Sequence, residues 1–127
     1  MKEIMAVIRP KKVEECKNAL EKMGFPSMTA VSVLGRGHQR GIAGEVNIDI
    51  RPERLSQGKS AGMKYVPKRL LTLVVRDNDV KEVVDTLIRI NQTGAVGDGK
   101  IFVCPLENAI RVRTDEEGDE ALDEAIV

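Results

Sequence analysis

The sequence predicts an α+β domain of βαββαβ order, a four-stranded antiparallel sheet with both helices on one face, and three observations carry that prediction. Short strand-like apolar runs alternate with two segments of helical periodicity. Residues 6–20 align without a gap on residues 73–87, sharing Val7/Val74, Arg9/Arg76, Val13/Val80, Glu15/Glu82 and Leu20/Leu87, so the chain reads as two related strand–helix–strand units. Right-handed crossovers interleave two such units into one sheet, the ferredoxin-like arrangement. A length of 127 residues suits a single domain spanning 1–127.

In chain order, residues 2–9 form a strand with Ile4, Met5, Ala6, Val7 and Ile8 in succession, the pattern of a strand covered on both faces. Pro10 suits the first turn of a helix in which Val13, Cys16, Leu20 and Met23 recur on one side, and Gly24 supplies its stop. Residues 28–34 return as the second strand, and 70–75 form the third, again apolar on both faces. The Asp77-Asn78-Asp79 cluster offers an N-cap to a second helix that buries Val80, Val83, Val84, Leu87 and Ile90 and closes near Gly94. Residues 101–104 give the fourth strand. With both helices on one face, the other face is left bare, and self-association is the expected way to cover it.

Charge is balanced overall but unevenly placed: residues 36–68 carry seven basic and three acidic side chains, and residues 115–124 seven acidic and none basic. The aromatic residues are Phe25, Tyr65 and Phe102, so the basic stretch lacks the stacking platforms of an RNA-binding sheet, and no nucleic acid is expected. No apolar run is long enough for a membrane span and no signal-peptide pattern is present, so a cytoplasmic protein is expected. Cys16 and Cys104, without C-x-x-C spacing or a neighbouring histidine, read as reduced thiols.

Four stretches invite a functional reading. Residues 94–100, Gly-Ala-Val-Gly-Asp-Gly-Lys, satisfy G-x-x-x-x-G-K, but Ile101 follows where a P-loop has its Mg²⁺-binding hydroxyl, and the order is helix, loop, strand. They form either a phosphate cradle of another kind or a glycine helix stop with a tight turn. Residues 35–67 are far longer than most connections, which makes this loop functional or disordered. It opens on a second glycine-rich turn, carries Pro52 and the irregular run 56–62, and ends on Lys68 at a strand mouth, where an edge lysine can equally discourage strand pairing. Residues 110–114 alternate strictly, so Arg111 and Arg113 project together, either as a polyphosphate clamp or as salt-bridged edge residues. The acidic residues 115–127 read as a solvated, mobile end.

Gly35-x-Gly37-x-Gln39, Pro67-Lys68, Gln92-Thr93-Gly94, the run from Gly97 through Asp98, Gly99 and Lys100 to Val103, and Ile110-Arg-Val-Arg-Thr114 together resemble the PII nitrogen-regulatory signal-transduction family across essentially the whole chain. The resemblance implies a homotrimer with ATP or ADP in clefts between subunits, Mg²⁺, and 2-oxoglutarate beside the ATP phosphates. The long loop, the T-loop of this family, would engage the regulated target. Matched residue by residue, Gly97, Asp98, Gly99 and Lys100 would hold the phosphates, with Arg111 and Arg113 as clamps across the cleft. Thr29, Gly35, Gly37, His38, Val74 and Thr93 would line the nucleotide. Gln39 would contact Mg²⁺, and Lys68, Gln39 and Gly97 would surround 2-oxoglutarate.

Three features depart from the family pattern. The Tyr-Arg-Gly-x-Glu-Tyr loop signature is absent, so control by uridylylation is not implied. His38 stands at a commonly basic position, and the loop is longer than usual. The lengthened loop is similar to that of one of the paired PII-type subunits associated with nitrogenase, which implies control of nitrogenase alongside a sister subunit. An ammonium transporter or glutamine synthetase is the alternative target. An ATP-using enzyme is not expected, because no general base or nucleophile dyad accompanies the glycine loop and its cations.

Overall fold

The computed structural model describes residues 1–37 and 64–123. Strand β1 (Lys2–Ile8) leads through a short 3₁₀ turn into helix α1 (Val13–Lys22), then β2 (Thr29–Gly35). Strand β3 (Val66–Val75), a second 3₁₀ turn, helix α2 (Val80–Asn91) and β4 (Lys100–Pro105) repeat the pattern. All pairings are antiparallel and the strand order is β2-β3-β1-β4, the βαββαβ architecture read from the sequence.

The period-two alternation of the strands divides the sheet cleanly. Ile4, Ala6 and Ile8 of β1 and Leu71, Leu73 and Val75 of β3 are buried with Cys16 and Leu20 of α1 and Val83, Leu87 and Ile90 of α2. Two polar residues join this core by donating to carbonyls of their own helix, and among the described residues the buried Asn91 Oδ1 accepts no hydrogen bond. Thr86 donates its hydroxyl to the Glu82 carbonyl (2.9 Å), and Asn91 donates its amide to the Leu87 carbonyl (2.8 Å) and the Cys16 sulfur (3.3 Å). Burial raises the Cys16 thiol pKa; Cys104 is half-buried, and both cysteines are free. Gly24 ends α1 at φ +94°, with the Phe25 amide donating to the Leu20 carbonyl and the Gly24 amide to Glu21, a Schellman closure.

On the opposite face, register aligns Met5 with Thr72 and Phe102, and Val31 with Leu70. Val31 is 46% and Phe102 47% exposed, so this face is bare in the single chain.

Several element ends differ from the sequence reading. Strand β3 starts at Val66, not 70, because Val66–Lys68 pairs with β2 alone, and Pro67 is tolerated where only one neighbour is present. The expected side-chain cap of the second helix is absent: Asp79 stands at the N-cap without a capping bond, and Asp77 meets the Met1 ammonium at 3.1 Å and Lys2 at 3.6 Å. Helix α2 closes at Asn91, where Gln92 turns extended, so Gly94 belongs to the following loop.

Residues 110–114 are not a strand. Ile110 makes an isolated bridge to Glu117, and the chain then turns, with the Asp115 amide donating to the Arg111 carbonyl (2.8 Å) and Asp115 at φ +62°. Within the acidic end, Gly118–Leu122 forms a 3₁₀ helix, and Arg76 pairs with Asp119 (4.0 Å) and Asp123.

Candidate functional site

The loop between α2 and β4 is organised by a carboxylate. Asp98 accepts hydrogen bonds from the Thr93 amide (2.7 Å), the Gly94 amide (2.9 Å), the Thr93 hydroxyl and the Arg9 guanidinium (2.7 Å). Arg9 also donates to the Val96 carbonyl at 3.1 Å, which ties the loop to the end of β1. The Thr93 hydroxyl and then Arg9 hold the Asp98 carboxyl far below the usual carboxylate range. Its carboxylate is thereby spent on shaping the loop, so only its backbone is left to meet a phosphate.

Gly97 (φ +103°) and Gly99 (φ +108°) turn the chain back into β4, and a Cβ at Gly99 would fall 1.9 Å from the Val7 carbonyl oxygen. Lys100 then enters β4 opposite Val7, exposed. Lys68, only 6% exposed, donates its ammonium to the Gly97 carbonyl at 2.7 Å. Gly35, which pairs with Val66, packs so closely that an added Cβ would lie 3.2 Å from Lys68 Cγ. The ends of β1 and β2 and the starts of β3 and β4 therefore gather Arg9, Gly35, Lys68 and residues 93–100 at one end of the sheet. Gly37 follows β2 at this end; His38 and Gln39, with the rest of the long loop to residue 63, lie outside the described residues.

Thr29, Val74, Arg111 and Arg113 line a different cleft, of about 840 Å³, together with Glu3, Thr72, Ala121 and Leu122. The turn at 111–114 brings the two arginines to one cleft although they are not on a strand. Lys68 and Val74 sit six residues apart on β3, so the two groups are separated by about 20 Å along one strand. No single chain brings them together. The cationic donors at both places suit polyphosphate and carboxylate. Among the described residues no group of three or more His, Cys, Asp or Glu could hold a metal ion.

The sequence matches the family described as nitrogen regulatory protein P-II over residues 1–116. This chain belongs to the PII family. It is 54% identical over 122 residues to the nitrogen fixation nifHD1 region GlnB-like protein 2 of Methanosarcina barkeri, covering 96% of this chain and 99% of that one. It is 50% identical over 122 residues to the nitrogen fixation nifHD region GlnB-like protein 2 of Methanobacterium ivanovii, again covering 96% and 99%. In three dimensions it is similar to Arabidopsis thaliana PII bound to citrate, with a TM-score of 0.72 and 30% identity over 98% of this chain and 91% of that one. PII proteins are regulatory signal transducers, so this chain is a regulator of nitrogen metabolism and not an enzyme. Among the described residues no helix is long and apolar enough to cross a membrane.

Sequence reasoning missed the role of Arg9 in this PII chain, although a signal was present. Arg9 and Arg76 occupy equivalent places in the internal repeat, and each captures carboxylates from a later segment, Asp98 for one and Asp119 and Asp123 for the other.

Proposed function

We propose that this PII protein senses ATP or ADP together with 2-oxoglutarate, as a homotrimer or in a mixed assembly with a sister subunit, and controls a nitrogenase component through its long loop. The observation that carries the reading is the separation of two complementary half-sites to opposite ends of a sheet with a bare apolar face. Joining such faces would cover the apolar surface and would bring Gly97–Lys100 of one chain beside Arg111 and Arg113 of another. Lys100 and the arginines would hold the phosphates. Mg²⁺ would supply charge neutralisation between phosphates and effector, with Gln39 as its side-chain contact. Lys68 already donates to Gly97, which supports a cationic root for the effector carboxylate.

Replacing Lys100 with Ala is expected to weaken ATP binding by about 1.5–3 kcal/mol, the worth of a charge-assisted hydrogen bond. Calorimetry on Lys100→Ala and Arg113→Ala, separately and after co-refolding as a mixture, tests the sharing. Each variant alone should bind weakly, and the mixture should regain tight sites at interfaces that pair an intact Lys100 with an intact Arg113. A mixture no better than its components would show that the half-sites belong to separate functions.

Both roots of the loop, Gly35–Gln39 and Lys68, would meet the ligands, so their binding biases the loop conformations presented to the target. The names of the relatives, which place them in nitrogen fixation nifHD regions, favour a nitrogenase component as that target. The basic excess of residues 36–68 would steer it towards an acidic surface. A protein lacking residues 42–63, closed with a short glycine linker, should keep its oligomeric state and ATP binding but lose inhibition in an acetylene-reduction assay with nitrogenase, the sister subunit and MgATP. Inhibition by the intact protein should fall on adding 2-oxoglutarate. Full inhibition by the shortened chain would take the inhibiting surface away from the loop, and absence of inhibition by the intact protein, or its indifference to 2-oxoglutarate, points to another target such as an ammonium transporter or glutamine synthetase.

A further inference from the structure

We infer that the acidic C-terminal segment is an intrachain strap that competes with a polyphosphate for Arg111; the inference rests on the reading of Arg111 as a phosphate clamp. Arg111 Nη1 donates to a Glu116 carboxylate oxygen at 2.9 Å, and Nη2 donates to the carbonyls of Ala121 (3.2 Å), Glu120 (3.4 Å) and Asp123. The Nη1–Nη2 edge is one of the two with which a guanidinium can grip a phosphate in bidentate fashion, the other being Nε–Nη, and here the strap occupies it.

The strap is anchored at a second point. Arg76, outside the clamp, holds Asp119 and Asp123, and the Asn108 amide oxygen accepts from the Gly118 amide at 3.0 Å. Ala121 and Leu122 consequently line the same cleft as Arg111 and Arg113. Glu116 sets a carboxylate against Arg111, where a polyphosphate would come. Arg113, by contrast, makes no ion pair within 4.0 Å among the described residues and is open to the first phosphate contact. A nucleotide would engage Arg113, displace Glu116 and the strap carbonyls from Arg111, and free residues 116–123. Nucleotide occupancy thus becomes a change in the exposure of the chain end as well as in the long loop.

The Arg111–Glu116 pair is partly exposed, 20% and 38%, so its competition is modest. Glu116→Gln and Arg76→Ala, each in the full chain, should tighten ATP about two- to fivefold by calorimetry, as expected for removal of a surface ion pair. In an Arg111→Ala background neither substitution should have any effect. Unchanged or weaker ATP binding by Glu116→Gln and Arg76→Ala, with Arg111→Ala still impaired, overturns the strap and leaves the clamp standing; that is also the outcome if the segment merely pre-orients Arg111. Arg111→Ala binding ATP like the parent protein overturns both. Hydrogen exchange on the unaltered protein gives a second readout. Saturating ATP should speed exchange at the Gly118 amide, held by the Ala109 carbonyl and the Asn108 Oδ1, and at the Asp123 amide, held by the Glu120 carbonyl, and slower exchange there would refute displacement.

Discussion

Gly99→Ala is expected to cost about 3–5 kcal/mol of stability and to abolish nucleotide binding with it. Two penalties coincide at this position. The backbone sits at φ +108°, where a side chain is strained, and the new Cβ would lie 1.9 Å from the Val7 carbonyl oxygen. That oxygen belongs to β1 in the middle of the sheet, between β3 and β4, and it cannot retreat as the end of a flexible side chain would. The start of β4 must move instead, taking Lys100 and its pairing with Val7 along. Gly94→Ala is the control: φ is +86° but no atom lies within 4 Å of an added Cβ, so the cost should be limited to about 1–2 kcal/mol of backbone strain. Urea unfolding of the two variants separates the effects. Equal losses would mean that the approach of the loop to β1 contributes nothing.

Asp98→Asn should leave the sheet folded and loosen the loop, so that hydrogen exchange at Thr93 and Gly94 quickens and ATP affinity falls well below that of the parent protein. An asparagine offers one acceptor oxygen where the carboxylate uses two, and it removes the charge that Arg9 meets at 2.7 Å. Because the folded protein holds the Asp98 pKa below its unfolded value, its contribution is fully present above pH about 3.9 and is lost as pH falls from there through the folded value. The stability difference between parent and Asp98→Asn should therefore be constant near neutrality and shrink in acid. Denaturation at pH 7 and in the acid range, where the parent remains folded, measures it. A difference that grows in acid would contradict the assigned role. Loss of binding in Arg9→Ala with Lys100 untouched would be the expected companion result.

The architecture was legible because its signals are local and repeated. The unbroken apolar run Ile4-Met5-Ala6-Val7-Ile8 marks a strand, the stripe Val80-Val83-Val84-Leu87-Ile90 reports which side of a helix meets the core, and the internal repeat pairs the two units, all from neighbours a few residues away. Lys68 reaches the Gly97 carbonyl, and Thr29, Val74, Arg111 and Arg113 line one cleft, contacts between distant segments that local pattern does not report. Residues 110–114 misled because strict alternation also occurs where one bridge to Glu117 and a tight turn replace a ladder.

What the sequence by itself determined is the order and type of the elements, the composition of the core and the glycine loop ending in Lys100. Only the tertiary structure decided that Asp98 is turned onto amides and Arg9, that Gly99 lies against Val7, that Arg76 and Arg111 bind down the acidic end, and that the two cationic groups stand at opposite ends of the sheet. The physical reason is range. Core burial follows from each side chain's own transfer from water, whereas a carboxylate's partner is set by which distant cation the packed sheet brings within about 3 Å, 89 positions away for Asp98 and Arg9.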